Sequence, residues 1–105
     1  HLLLSVESLR ISLAKIKINN TSFELLGQWL VSLKSLKRII FDMDECFDIS
    51  ILGIENLLMI CERTHPLEVI TFHFREMRNL DHDEELANLQ KKYKKSMIMF
   101  PKHHR

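Results

Sequence analysis

The sequence predicts an α/β fold in which short parallel strands line one face and helices the other, repeated along the chain as a solenoid. Three observations carry this reading. One apolar pattern recurs as Val6-x-x-Leu9-x-Ile11, Leu36-x-x-Ile39-x-Phe41 and Leu67-x-x-Ile70-x-Phe72, and Met97-x-x-Phe100 opens a fourth. The starts (6 to 36, 36 to 67, 67 to 97) stand 30, 31 and 30 residues apart. Further apolar columns follow each opening: Leu13, Met43 and Phe74, then Ile16, Cys46 and Met77, then Ile18, Ile49 and Leu80. Self-similarity at a fixed period marks supersecondary units that cannot bury their apolar faces alone and do so by stacking.

Within each unit the period changes from two to that of a helix. Phe23, Leu26, Leu30 and Leu33 form the first helical stripe, Ile54, Leu57, Leu58 and Cys61 the second, and Leu86, Leu89 and Tyr93 the third. Helix starts are expected where Thr21-x-x-Glu24 and Asp81-x-x-Glu84 have capping-box spacing, and Ser50 is placed to satisfy amides opening the second helix. His65-Pro66 stops that helix, because proline disfavours helical geometry in the residue before it. Acidic Asp83, Glu84 and Glu85 precede Lys91, Lys92, Lys94 and Lys95 in the third, the order that complements the helix dipole, so the lysine run reads as a solvated helix end. Repeats are thus expected over residues 6–35, 36–66 and 67–96, with a terminal strand at 97–100. Pro101 and Lys102 then break the pattern. The opening His1-Leu-Leu-Leu-Ser reads as the end of a helix from a preceding repeat. This makes the chain the C-terminal part of a longer array, with an open N-terminal edge capable of self-association.

These residues resemble the leucine-rich repeat family, whose pattern is L-x-x-L-x-L followed by apolar residues five and about eight positions later. The resemblance covers roughly residues 6 to 100. Cys61-Glu-Arg-Thr-His-Pro-Leu67 also resembles the family's return from helix to strand. The position that usually carries Asn or Cys holds Ala14, Asp44 and Arg75, so the chain is most similar to the irregular arrays of intracellular sensor and F-box proteins. The resemblance implies a concave strand wall that binds protein partners without catalysis or cofactor. Its exposed columns are Glu7, Ser8, Arg10 and Ser12; Lys37, Arg38, Ile40 and Asp42; Glu68, Val69, Thr71 and His73. Arg10, Lys37, Arg38, Ile40, Asp42, Glu68, Thr71 and His73 are the candidate partner-binding residues. Apolar Ile40, Val69 and Thr71 supply burial and the charges around them supply selectivity.

Composition narrows the alternatives. One hundred and five residues with 46% apolar content suit a single domain or part of one. No apolar run reaches membrane-spanning length, and the first residues lack the basic flank of a signal peptide. A formal net charge of +1 is too small for a nucleic-acid surface. Six histidines and two cysteines show no Cys-x-x-Cys or His-x-x-x-His spacing, so no metal site is expected. Cys46 and Cys61 fall in core columns, as packed thiols of an intracellular, cytoplasmic protein. The sequons at Asn19 and Asn20 matter only in a secreted chain. Trp29 and Tyr93 are expected to pack within the helix layer.

Two other readings stand beside recognition. The segment could serve as a structural spacer or oligomerisation element of a larger receptor or adaptor. Alternatively, Ile39-Ile-Phe-Asp42-Met-Asp44 is similar to the first motif of haloacid-dehalogenase-type phosphatases, in which Asp42 would attack phosphorus, Asp44 would act as acid and base, and Mg2+ would screen the charge. Only the 61 residues from 45 to 105 follow Asp44, too few for the rest of that fold's sheet. Glu45-Cys46 also replaces the small pair usual after its second aspartate.

Overall fold

A computed structural model describes residues 6–44, 48–63, 67–74, 83–94 and 96–99. Strand and helix alternate in the order β1 (Ser8–Ser12), α1 (Asn20–Leu30), β2 (Arg38–Asp42), α2 (Ile51–Glu62), β3 (Val69–His73), α3 (Asp83–Lys92) and β4 (Ser96–Met99). The strands form one sheet in sequence order, every neighbouring pair parallel. Parallel neighbours need a crossover, and each helix supplies one.

Register follows the sequence period through the first three strands. Leu9 pairs with Ile39 and Ile39 with Ile70; Ile11 pairs with Phe41 and Phe41 with Phe72. The backbone repeats the same forked bond at both steps. The N–H groups of Lys37 and Arg38 donate to the Glu7 carbonyl (2.8 and 3.0 Å), and those of Glu68 and Val69 to the Lys37 carbonyl (2.7 and 3.2 Å). At the far end Leu13 N–H donates to the Asp42 carbonyl and Met43 N–H to the His73 carbonyl. The fourth strand departs from the expected column. Ile70 pairs with Ser96 and Phe72 with Ile98, so Phe100 is not the partner of Ile70. Connection length explains this: residues 31–37 and 63–68 return the first two helices to the sheet, whereas only residues 93–95 follow α3. The short return draws β4 into the sheet early.

Alternation along β2 sends Ile39 and Phe41 into the core and leaves Arg38 on the opposite face. Phe41 sits between Phe23 of α1, edge-on with centroids 5.4 Å apart, and Phe72 of β3, stacked at the same distance. Ile54, Leu57, Leu58 and Cys61 of α2 complete the central layer, and Leu86 and Leu89 of α3, with Tyr93 just after it, close it at the C-terminal side. Gly27 brings α1 close to α2: a Cβ there would stand 3.3 Å from Leu57 Cδ1. Cys61 is a buried thiol, and Cys46 lies outside the described residues.

Helix starts differ in detail from the capping expectations. Asn19, in extended backbone, caps α1 by accepting the Ser22 N–H at 2.8 Å, which places Thr21 inside the first turn rather than at the cap. Ser50 occupies the cap position of α2, but its hydroxyl makes no cap bond and instead accepts from Asn20 of the preceding unit. Asp81 lies outside the described residues. Two apolar residues expected in the interior are exposed. Ile16, at 48% exposure, follows Lys15 (φ 62°), a left-handed turn that carries the chain out of its column. Trp29, at 45%, stands on the flank of α1 away from α2. Tyr93 packs as expected. No helix among the described residues is long and apolar enough to cross a membrane.

Candidate functional site

The face of the sheet opposite the helices carries the alternate side chains of β1, β2 and β3. Parallel register fixes their rows: Ser8 beside Arg38 and Val69, Arg10 beside Ile40 and Thr71, Ser12 beside Asp42 and His73. The charged groups do not pair along these rows. Arg10 reaches one row on and grips Asp42 with two nitrogens, Nε at 2.8 Å and an Nη at 3.0 Å. Such a fork fixes direction as well as distance. Its hydrogen bonds hold the Asp42 carboxyl below its ordinary value, outweighing the opposing effect of burial, and the charges of Arg10 and His73 act in the same direction.

A second chain of contacts crosses the wall nearer the strand starts. Arg38 Nε donates to Ser8 Oγ at 3.2 Å, and its guanidinium stands 3.9 Å from a Glu68 oxygen. This pair is loose and solvated, so its energetic worth is small and it can exchange for another partner. Ile40 lies half-buried between the two polar arms, with Val69 half-buried in the neighbouring strand. The structure therefore brings Arg10, Arg38, Ile40, Asp42 and Glu68 into one patch, flanked by half-buried Lys37 and His73. Thr71 does not belong to the accessible part. It was expected to be exposed but is buried at 8%, a small side chain on a strand paired at both sides.

Away from the wall, Glu55 links α2 to the end of α3, accepting from Lys92 Nζ and from the Tyr93 hydroxyl, each at 2.9 Å. Lys92 also stands 5.4 Å over the Tyr93 ring. One of the late lysines of α3 is thus an inter-unit tie, while Lys91 and Lys94 are solvated. A shallow groove of about 230 Å³ runs between α1 and α2, lined by Glu24, Asn56, Met59, Ile60 and Arg63. Among the described residues no three His, Cys, Asp or Glu side chains converge as a metal site.

The diagonal Arg10–Asp42 fork was missed by sequence reasoning, which treated each wall residue as a separate contact. Opposite charges at a separation near one period were the available signal. No family model matches the chain, and no curated protein or solved structure matches it significantly.

Proposed function

We propose that the chain is a segment of a leucine-rich-repeat-type solenoid, acting as a non-catalytic recognition module that binds a protein through its strand wall. One observation carries the reading: a half-buried Ile40 framed by a two-pronged Arg10–Asp42 fork and an exchangeable Ser8–Arg38–Glu68 chain. A partner segment with an apolar side chain fits over Ile40 and Val69, and a partner carboxylate can take Arg38 from Glu68. Burial then supplies affinity and the fork supplies orientation. Support for the repeat architecture comes from the register of about 30 residues and the recurring forked backbone bond. An intracellular setting fits the buried Cys61 thiol. The phosphatase-like reading of Asp42 and Asp44 gains nothing from the geometry, since Arg10 engages both Asp42 oxygens.

The test is affinity capture with three folded proteins, matched by circular dichroism: the parent chain, a wall variant (Arg38→Glu, Asp42→Lys, His73→Glu) and a helix-face variant (Leu52→Glu, Met59→Glu). Recognition by the wall predicts a partner retained by the parent and the helix-face variant and lost by the wall variant. Loss on the helix-face variant alone would move the site to the opposite side of the molecule.

A further inference from the structure

Among the described residues, the first unit is packed on one flank only. Of the six described apolar residues that lean on the core while partly buried, five belong to it: Val6, Leu9, Ile11, Ile18 and Leu26. Their counterparts one period later, Leu36, Ile39, Phe41, Ile49 and Leu57, are at most 2% exposed. The side chains are equivalent in type, so the difference lies in what covers them.

Two lines of geometry define the uncovered flank. On α1, Gly27 approaches Leu57 and Ile60, and Glu24 shares the groove with α2, which fixes the α2 side of the helix. At 100° per residue, Leu26 and Trp29 fall on the opposite side, with Leu25 next to them. On β2, the Arg38 N–H donates to Glu7 and the Asp42 carbonyl accepts from Leu13, so the backbone groups of residues 38, 40 and 42 face β1. The equivalent groups of Ser8, Arg10 and Ser12 therefore face away from β2, at the sheet edge. This edge has no proline, and its alternate side chains Leu9 and Ile11 are apolar. Its one charge, Arg10, is paired with Asp42 on the wall, so the edge carries neither a proline nor an unpaired charge to block strand addition.

We propose that this flank is the docking surface for a second copy of the chain, joined β1 to β1 about a two-fold axis perpendicular to the sheet. That axis pairs the two β1 strands antiparallel, keeps all helices on one face, and sets Leu26 and Trp29 of one α1 against those of the other. The residues at the opposite end argue for this partner over head-to-tail stacking. There the flank of α3 turned away from the Lys92–Glu55 tie exposes Ala87, Gln90 and Lys91, a largely polar surface that mismatches Leu26 and Trp29. The apolar flank is its own best complement, the condition for an isologous interface. Arg10, brought near its symmetry mate, carries its counter-charge with it in Asp42.

Sedimentation equilibrium of the whole chain tests this directly. The expected result is a reversible monomer–dimer equilibrium, in which emission from Trp29, the single tryptophan, moves to longer wavelength on dilution. Ser12→Pro removes an outward N–H while leaving the β1–β2 bonds intact, and Trp29→Glu places charge at the helix contact. Each should weaken the dimer by at least about tenfold, and Met59→Glu on α2 should leave it unchanged. A monomer persisting to about 1 mM would overturn the proposal, and with shielded Trp29 emission would assign the flank to another segment of the same chain. Species growing beyond the dimer would indicate head-to-tail stacking instead. A dimer indifferent to both Ser12→Pro and Trp29→Glu, with unchanged circular dichroism, would place the interface elsewhere.

Discussion

Asn20 and Ser50 clasp one another across the first two units: the Asn20 amide donates to Ser50 Oγ at 2.9 Å, and Asn20 Oδ1 accepts the Ser50 N–H at 3.0 Å. Asn20 thus does for the start of α2 what a capping side chain does within one helix. Gly53 makes room for it, since a Cβ there would overlap Oδ1 and stand 2.8 Å from Asn20 Cγ. An alanine inside a helix ordinarily stabilises by about 1 kcal/mol over glycine. Gly53→Ala should instead destabilise, and Asn20→Ala should cost about 1–3 kcal/mol through the lost bonds. In the Asn20→Ala background the obstacle is gone, so adding Gly53→Ala should recover stability. Urea unfolding of the four proteins measures this, and equal effects of Gly53→Ala in both backgrounds would refute the clasp.

Phe41 is the centre of the aromatic layer, touching rings from both α1 and β3. Phe41→Ala removes contacts on two sides of a fully buried site and should cost roughly 3–5 kcal/mol. That is a large part of the total stability of a small domain. Phe74 stacks on Phe72 at 6.1 Å, further along the layer. Phe74→Leu should therefore be milder than Phe41→Leu, an ordering that thermal denaturation reads directly.

Much of this fold was legible because burial here follows local periods. The period of two picked out Ile39, Phe41, Ile70 and Phe72, and the helical period picked out Phe23, Ile54, Leu57, Leu86 and Leu89. Relations set by registration between units were not legible. Register pairs Arg10 with Ile40, yet its guanidinium reaches Asp42, because a long flexible side chain chooses among rows that the pattern treats as equal. The early entry of β4 depends on a connection length hidden in an apparently regular spacing. The exposure of Trp29 records which flank of α1 is covered, a property of neighbours rather than of the helix's own sequence.

The Arg10–Asp42 fork gives the wall an acid-sensitive component. Asp42 titrates below its ordinary value of 3.8 in the folded chain. The associated stability is present above the unfolded value and is lost as pH falls through the folded one. Arg10→Gln should raise the Asp42 midpoint, and Lys92→Gln, distant from the wall, should not. Carboxyl chemical shifts followed against pH by NMR separate the two, and an Asp42 midpoint indifferent to Arg10→Gln would show that the fork does not persist in solution.

The tie between α2 and α3 works at the opposite end of the pH scale. Burial raises the Tyr93 phenol above its usual value of 10.0, and the hydrogen bond to Glu55 and that carboxylate's charge raise it further, against the smaller opposing effect of Lys92. A raised folded pKa means that the unfolded chain loses this proton first. The stability it contributes is therefore complete below the unfolded value and disappears as pH climbs through the folded one. Lys92 and then Tyr93 lower the Glu55 carboxyl, so it is ionised throughout that range and remains the acceptor. Glu55→Gln removes the negative charge while keeping an acceptor oxygen, and leaves Lys92 to favour the phenolate. The midpoint for Tyr93, the single tyrosine, should then fall, with the alkaline loss of stability beginning at lower pH. Near-ultraviolet absorbance of the phenolate measures the first effect, and denaturant unfolding across the same pH range measures the second. An unchanged phenolate midpoint in Glu55→Gln would mean that α3 is not held to α2 through this carboxylate.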